Sequence, residues 1–201
     1  MADEYGDQDI EVDLFRATQR RAKIAAREAM SAEDRVRACE AVEAHLTTLL
    51  AGGQPRTIAF CSAVRGEVDC RPLIEQLLTS GWRACQPIVL KPETPMVFRA
   101  WTFRSIMTVD CYGIPVPASG ESLVPDVVLL PLVAFDGEGF RLGYGGGYFD
   151  RTLAILTPRP LAVGVGFELA RINSVRPQAH DVRLDVVVTE TGIHVPLSPR
   201  A

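Results

Sequence analysis

The order of elements around residues 127–156 constrains this chain more than any other feature. An apolar run, Val127–Leu130, leads into LPLVAFDGEGFRLGYGGGYFDR at 130–151, and a helix-compatible stretch, Tyr148–Leu156, follows. That order predicts strand, glycine-rich turn, helix. Arg141, Gly143, Gly145, Gly146, Gly147, Tyr148 and Asp150 are crowded into the turn. Successive backbone N–H groups in such a turn form a nest for an anion, and a helix N-terminus adds partial positive charge. Arg141 supplies a charge with fork geometry, and Asp150 is a ligand type for a divalent cation. Glycine suits the turn because a Cβ would hold the backbone away from a ligand, and because turn residues can require positive φ. The run matches neither GxxxxGK[ST] nor GxGxxG, so on glycines alone a plain tight connection stays open beside a phosphate site.

The rest of the chain bounds the class. Its 201 residues suffice for one domain with a substantial core, and 47% hydrophobic content is that of a globular protein. No apolar run reaches the roughly 18–20 residues needed to span a bilayer. The N-terminal MADEYGDQDIEVD is acidic and polar, unlike a presequence, so the cytoplasm is the expected compartment. Five cysteines, at 39, 61, 70, 85 and 111, form no CxxC and are odd in number, which points to buried thiols. A net charge of −4 without a long basic run argues against broad nucleic-acid binding.

Residues 1–9 read as a flexible tail before a single domain over 10–201. Ile10–Met30 is rich in helix formers and carries Arg16, Arg20, Arg21, Lys23 and Arg27. Arg16 and Arg20 are four residues apart and share a helix face. Ser31 is an N-cap candidate for a second helix running to about Leu50, where Gly52-Gly53 stops it. Val36, Val42, Leu46, Leu49 and Leu50 are its expected buried stripe. Thr57–Ala63, Trp82–Leu90, Met96–Trp101, Val127–Leu130, Ala162–Gly166 and Asp185–Thr189 read as strands. Asp69 is placed to cap a helix through Leu78, and Gly113–Pro125 reads as an ordered loop. A basic helical hairpin followed by alternating strands and helices predicts an α/β domain with a largely parallel sheet.

The central run resembles the signature of the 5-formyltetrahydrofolate cyclo-ligase family, close to PxxAFDxxGxRLGxGxGYYDR. RGEVD at Arg65–Asp69, GIPVP at Gly113–Pro117 and HDVRLDVVVTE at His180–Glu190 resemble further family blocks in the family order. The resemblance implies a Rossmann-like three-layer fold. It also implies ATP- and magnesium-dependent conversion of 5-formyltetrahydrofolate to 5,10-methenyltetrahydrofolate, with release of ADP and phosphate. The implied partners are folate and ATP, not nucleic acid or membrane, with a monomer expected and a dimer left open.

Residue by residue, the resemblance places ATP on Arg16, Arg20 and the segment Arg141, Gly143, Tyr144, Gly145, Gly146, Gly147, Tyr148 and Phe149. Folate falls to Glu67, Tyr112 and the shared stretch Tyr144–Tyr148. Arg141 and Tyr148 are the implied catalytic residues, and Asp150 and Asp185 the implied magnesium ligands. For several of these the bland alternative stays open: a solvated helix face for Arg16 and Arg20, a surface turn for Glu67, packing for Tyr112, a strand-opening charge for Asp185. The chain departs from the pattern at Tyr144 and Gly146, where relatives carry basic residues, and at Ala170, where relatives often carry glutamine. These departures keep open a paralogous ATP-utilising enzyme with another substrate; a non-catalytic nucleotide-binding regulator is a second alternative, disfavoured by the retention of both Asp150 and Asp185.

Overall fold

The computed structural model describes residues 2–54 and 56–196. Two helices lead, α1 (Ala2–Glu28) and α2 (Ala32–Leu50). Then come β1 (Thr57–Ala59), α3 (Arg71–Thr79), β2 (Arg83–Ile88), β3 (Val97–Trp101), β4 (Met107–Val109), β5 (Pro115–Pro117) and β6 (Ser122–Leu123). The second half holds β7 (Val127–Pro131), β8 (Ala134–Phe135), β9 (Arg141–Leu142), α4 (Tyr148–Ile155), β10 (Leu161–Val165), β11 (Val186–Thr189) and β12 (Gly192–His194). The stretch read from sequence as a tail lies, from Ala2 on, within α1.

Eight strands form the main sheet in the order β12-β11-β10-β7-β1-β2-β3-β6. The five central strands, β11 to β2, are mutually parallel, and β3, β6 and β12 close the edges antiparallel. The chain leaves β1 toward β2 and later returns to its other side as β7. The C-terminal ends of β1 and β7 therefore flank a topological switch point, where open α/β sheets leave a crevice.

Successive side chains of a strand point to opposite faces, and both faces of this sheet are covered. Val127 and Leu129 join Val42, Leu46, Leu73 and Ile74 under α2 and α3. Val128 and Leu130 join Phe135, Leu153 and Leu184 under α4. The result is three layers. Ser31 caps α2, its Oγ accepting from Asp34 N at 3.0 Å. Of the expected α2 stripe, Val42, Leu46 and Leu50 are buried, whereas Val36 is 57% exposed and Ala38 takes the inner position instead. Cys70, not Asp69, is the cap position of α3; Asp69 instead accepts from Arg71 N at 3.0 Å. The Gly113–Pro125 loop contains β5, paired with β4 in a separate hairpin, and β6.

On α1 the buried face is cationic. Arg16, Ile24 and Arg27 are buried, at a spacing that keeps them on one side of the helix. Lys23 Nζ donates to the carbonyls of Leu169 and Arg171 at 2.7 and 3.0 Å. Arg27 donates to those of Arg65 and Leu132 at 3.1 and 2.9 Å. This helix is thus pinned by charge-assisted bonds to carbonyls of segments outside the main sheet, more than by an apolar stripe.

Candidate functional site

A cleft of about 1490 Å³ opens at the switch point. Single-ligand pockets usually span roughly 300–1000 Å³, so this one has room for two ligands. Its floor comes from the ends of β1, β2 and β7, including Ser62, Gln86 and Pro131. One wall is α1 with Arg16 and Arg20, another is the glycine loop, and Tyr112 on the β4–β5 hairpin closes a third side.

The glycine loop joins β9 to α4. Gly145 and Gly147 have φ of +101° and +62°, and Gly147 is the left-handed residue from which α4 starts. Those two positions need glycine for conformation. Gly146 is needed for a different reason: a Cβ there would lie 2.7 Å from the Tyr148 ring. That ring lies under the Arg151 guanidinium, 5.1 Å from its centroid, and Arg151 also donates to the Gly146 carbonyl. A lysine at 146 would displace Tyr148. Across the cleft, the hydroxyls of Tyr148 and Tyr112 are 2.5 Å apart, their rings edge to face at 5.8 Å. This contact pushes the Tyr112 phenol up to about 12. Phe149 also lines the cleft and packs against the core under α4.

The two arginines predicted on one face of α1 do share the cleft but differ in commitment. Arg20 reaches the loop, its Nε donating to the Gly143 carbonyl at 2.9 Å. Burial and then the charge of Arg16 lower its pKa. Arg16 is 5% exposed and bound to Gln178 Oε1 at 2.8 Å and to Asp181 Oδ1 at 3.0 Å. Arg141 is likewise tied. Its guanidinium pairs with Asp150 Oδ1 at 3.0 Å and donates to the Val182 carbonyl at 2.9 Å, while the residue still lines the cleft. The phosphate-binding arginine and the metal-binding aspartate read from the sequence therefore hold each other.

Asp150 and Asp185 are placed differently. Asp150 lines the cleft from the first turn of α4 and accepts from Val182 N at 3.0 Å. Asp185 precedes β11 at the N-terminal edge of the parallel strands. Its oxygens accept from Arg159 at 2.7 Å and from Ala162 N at 2.8 Å, and it does not line the cleft. Among the described residues, no three His, Cys, Asp or Glu side chains are grouped to hold a metal. Ala170 is buried in the core under α4 and does not line the cleft either.

Glu67 lines the cleft and is 9% exposed. Its Oε1 accepts from the Tyr144 hydroxyl at 2.7 Å and its Oε2 from Val64 N at 3.1 Å. Burial raises its pKa, against the lowering effect of those bonds and of Arg27. Tyr144, which the resemblance assigns to ATP and folate, thus turns its hydroxyl to Glu67.

Sequence reasoning missed several groups. Arg27, read as one more basic helix residue, reaches Tyr144. Asp181, read only as part of the block His180–Glu190, holds Arg16. Gln86 sat inside a predicted strand, yet it is buried at the cleft floor with its Nε2 on Ser62 Oγ at 3.1 Å and its Oε1 without a partner. Its place in an otherwise apolar strand was the one available signal.

Comparison with known proteins bears on the family and the fold. A sequence model of the 5-formyltetrahydrofolate cyclo-ligase family matches residues 15–190. The 5-formyltetrahydrofolate cyclo-ligase of Escherichia coli K12 is 33% identical over 145 residues, 68% of this chain and 79% of that protein. That of Haemophilus influenzae is 30% identical over 158 residues, 74% of this chain and 84% of its own. The NMR structure of Aquifex aeolicus 5,10-methenyltetrahydrofolate synthetase superposes with a TM-score of 0.78 at 29% identity, covering 92% of this chain and 95% of that one.

Proposed function

The chain belongs to the 5-formyltetrahydrofolate cyclo-ligase family, and we propose that the cleft at its switch point is where ATP and the folate meet. The enzyme is a cyclo-ligase: it converts 5-formyltetrahydrofolate to 5,10-methenyltetrahydrofolate at the expense of ATP. The observation that carries the site assignment is a single two-ligand cleft with a glycine nest and arginines on one side and a buried carboxylate on the other.

In this reading the γ-phosphate lies against the loop Gly143–Gly147 and the start of α4, where backbone N–H groups and the helix end favour an anion. Arg20 and Arg141 face the same place. The formyl oxygen attacks that phosphorus, ADP leaves, and N10 then closes on the activated carbon as phosphate departs. Such transfer asks the protein chiefly for alignment and charge neutralisation. Glu67 accepts hydrogen bonds from the donor edge of the pterin, and Tyr112 and Tyr148 flank the flat heterocycle.

Magnesium is commonly held by one or two carboxylates together with substrate phosphates and water, and Asp150, facing the cleft, fits that manner of binding. When bound there, the ion would neutralise phosphate charge. Asp185 has both oxygens engaged at the opposite, N-terminal edge of the strands and does not fit it.

The test is purified protein with ATP, magnesium and 5-formyltetrahydrofolate, followed by absorbance of the methenyl product and by ADP release. Product and ADP should appear together, and ADP release should stop when the folate is omitted. ATP turnover driven by a different amide or carboxylate would favour the paralogous enzyme. Nucleotide binding without turnover would favour a regulator.

A further inference from the structure

We infer that Tyr144 and Arg27 are positioning residues for Glu67: a relay running from α1 through the glycine loop keeps the pterin-reading carboxylate ionised and aimed into the cleft. The inference rests on the reading that Glu67 meets the folate, and it assigns to Tyr144 a role through Glu67 in place of direct ligand contact.

Three side chains from three segments carry it. Arg27 Nη2 donates to the Tyr144 hydroxyl at 2.8 Å. With its oxygen accepting from arginine, the hydroxyl is left to donate, and it does so to Glu67 Oε1 at 2.7 Å. Arg27 also lies 3.7 Å from that carboxylate, with both side chains almost fully buried. Arg27 is itself fixed by the Arg65 and Leu132 carbonyls, so the relay is anchored to the ends of the loops after β1 and β7. Each carboxylate oxygen of Glu67 takes one protein donor, Tyr144 O–H or Val64 N–H, and carries a further lone pair.

A buried carboxylate is driven toward its neutral form unless charge and hydrogen bonds oppose this. The groups facing Glu67 are few. Arg27 comes from α1 and Tyr144 from the glycine loop. Cys61 at the end of β1 and Cys70 before α3 are neutral thiols, both raised by burial, Cys70 to about 12. Arg65, on Glu67's own loop, is turned to Glu28 at 2.8 Å. Arg27 and Tyr144 therefore supply the side-chain stabilisation of the charged form. Without them Glu67 would take up a proton at higher pH and lose an acceptor that a pterin N–H requires.

The experiment is the pH dependence of steady-state turnover for Tyr144→Phe, Glu67→Gln, the double variant and Arg27→Lys. Tyr144→Phe should raise KM for 5-formyltetrahydrofolate about tenfold, the loss expected for one hydrogen bond to a charged group, and leave KM for ATP unchanged. The acid limb of kcat/KM for the folate should move to higher pH, so that raising the pH partly restores the variant. In the Glu67→Gln background Tyr144→Phe should add nothing. Arg27→Lys should move the same limb in the same direction.

Additive effects in the double variant would mean that Tyr144 touches the ligand itself and would overturn the relay. So would a Tyr144→Phe variant with an unmoved limb. A lowered melting temperature for Arg27→Lys with an unmoved limb would reduce Arg27 to a brace and remove it. If Glu67→Gln alone leaves the folate KM unchanged, the assignment of Glu67 to the folate fails first, and the relay fails with it.

Discussion

Asp150 and Asp185 look alike in the sequence, each an acid near the end of a predicted element, yet they occupy different electrostatic settings. Asp150 opens α4 beside a glycine nest, faces a large cleft and is paired with the buried Arg141. Asp185 opens a strand at the N-terminal edge, bonds the first residues of β10 and pairs with a half-exposed Arg159. The C-terminal ends of parallel strands at a switch point leave room for ligands. At the N-terminal edge an aspartate ties strands together; Asp126 does the same, accepting from Thr57 N at 2.8 Å. The same residue type faces the cleft in one place and is a stitch in the other, and the direction of the strands decides which.

Four variants test that contrast, in descending order of expected effect. Arg141→Ala removes the partner of Asp150 and a cation beside the nest. It should lower kcat by roughly a hundredfold or more, on the order of 3–4 kcal/mol of transition-state stabilisation. Near-normal kinetics in a folded variant would take Arg141 out of the chemistry. Asp150→Asn keeps the shape and loses the charge. We expect roughly tenfold weaker magnesium activation, about 1.4 kcal/mol, measured by titrating the metal at fixed ATP. An unchanged magnesium profile with a lowered melting temperature would make Asp150 a stitch as well.

Gly143→Ala comes third. Gly143 has no need for positive φ, and a Cβ there would meet nothing within 4 Å, so the substitution should leave stability nearly unchanged. It adds a methyl group on the cleft side of the loop and should weaken ATP by a factor of a few, on the order of 1 kcal/mol. Equal ATP affinity in variant and parent, by calorimetry, would mean that phosphate does not approach this part of the loop. Asp185→Asn should have the smallest effect. It breaks a partly exposed ion pair and keeps an acceptor for Ala162 N, a loss under about 1 kcal/mol in melting, with magnesium activation unaltered. A right-shifted magnesium profile here would collapse the contrast and place both acids at one metal.

Local pattern sufficed for much of the fold. The apolar runs at Val127–Leu130 and Asp185–Thr189 and the capping serine of α2 state their structures in short windows, because a continuous apolar run marks a strand buried on both faces and a cap bonds within its own turn. Pattern also located the glycine loop and its reason, since positive φ at Gly145 and Gly147 is a backbone requirement that few residues other than glycine meet. The short strands β4, β5 and β6 were not legible, because two or three residues carry no alternation for a sequence window to register.

In the site, residue types were readable and pairings were not. That Arg141 would hold Asp150, that Arg16 would bury itself on Asp181, and that Tyr144 would bridge Arg27 to Glu67 all depend on chain segments as much as 165 residues apart. The sequence determined which charges the protein carries and where its backbone must bend. Which charges neutralise one another, and which are left facing a ligand, was decided only when the parallel sheet brought the ends of β1, β7 and α1 to one crevice. A charge's partner is set by distance in space and by the water excluded there, and neither is written along the chain.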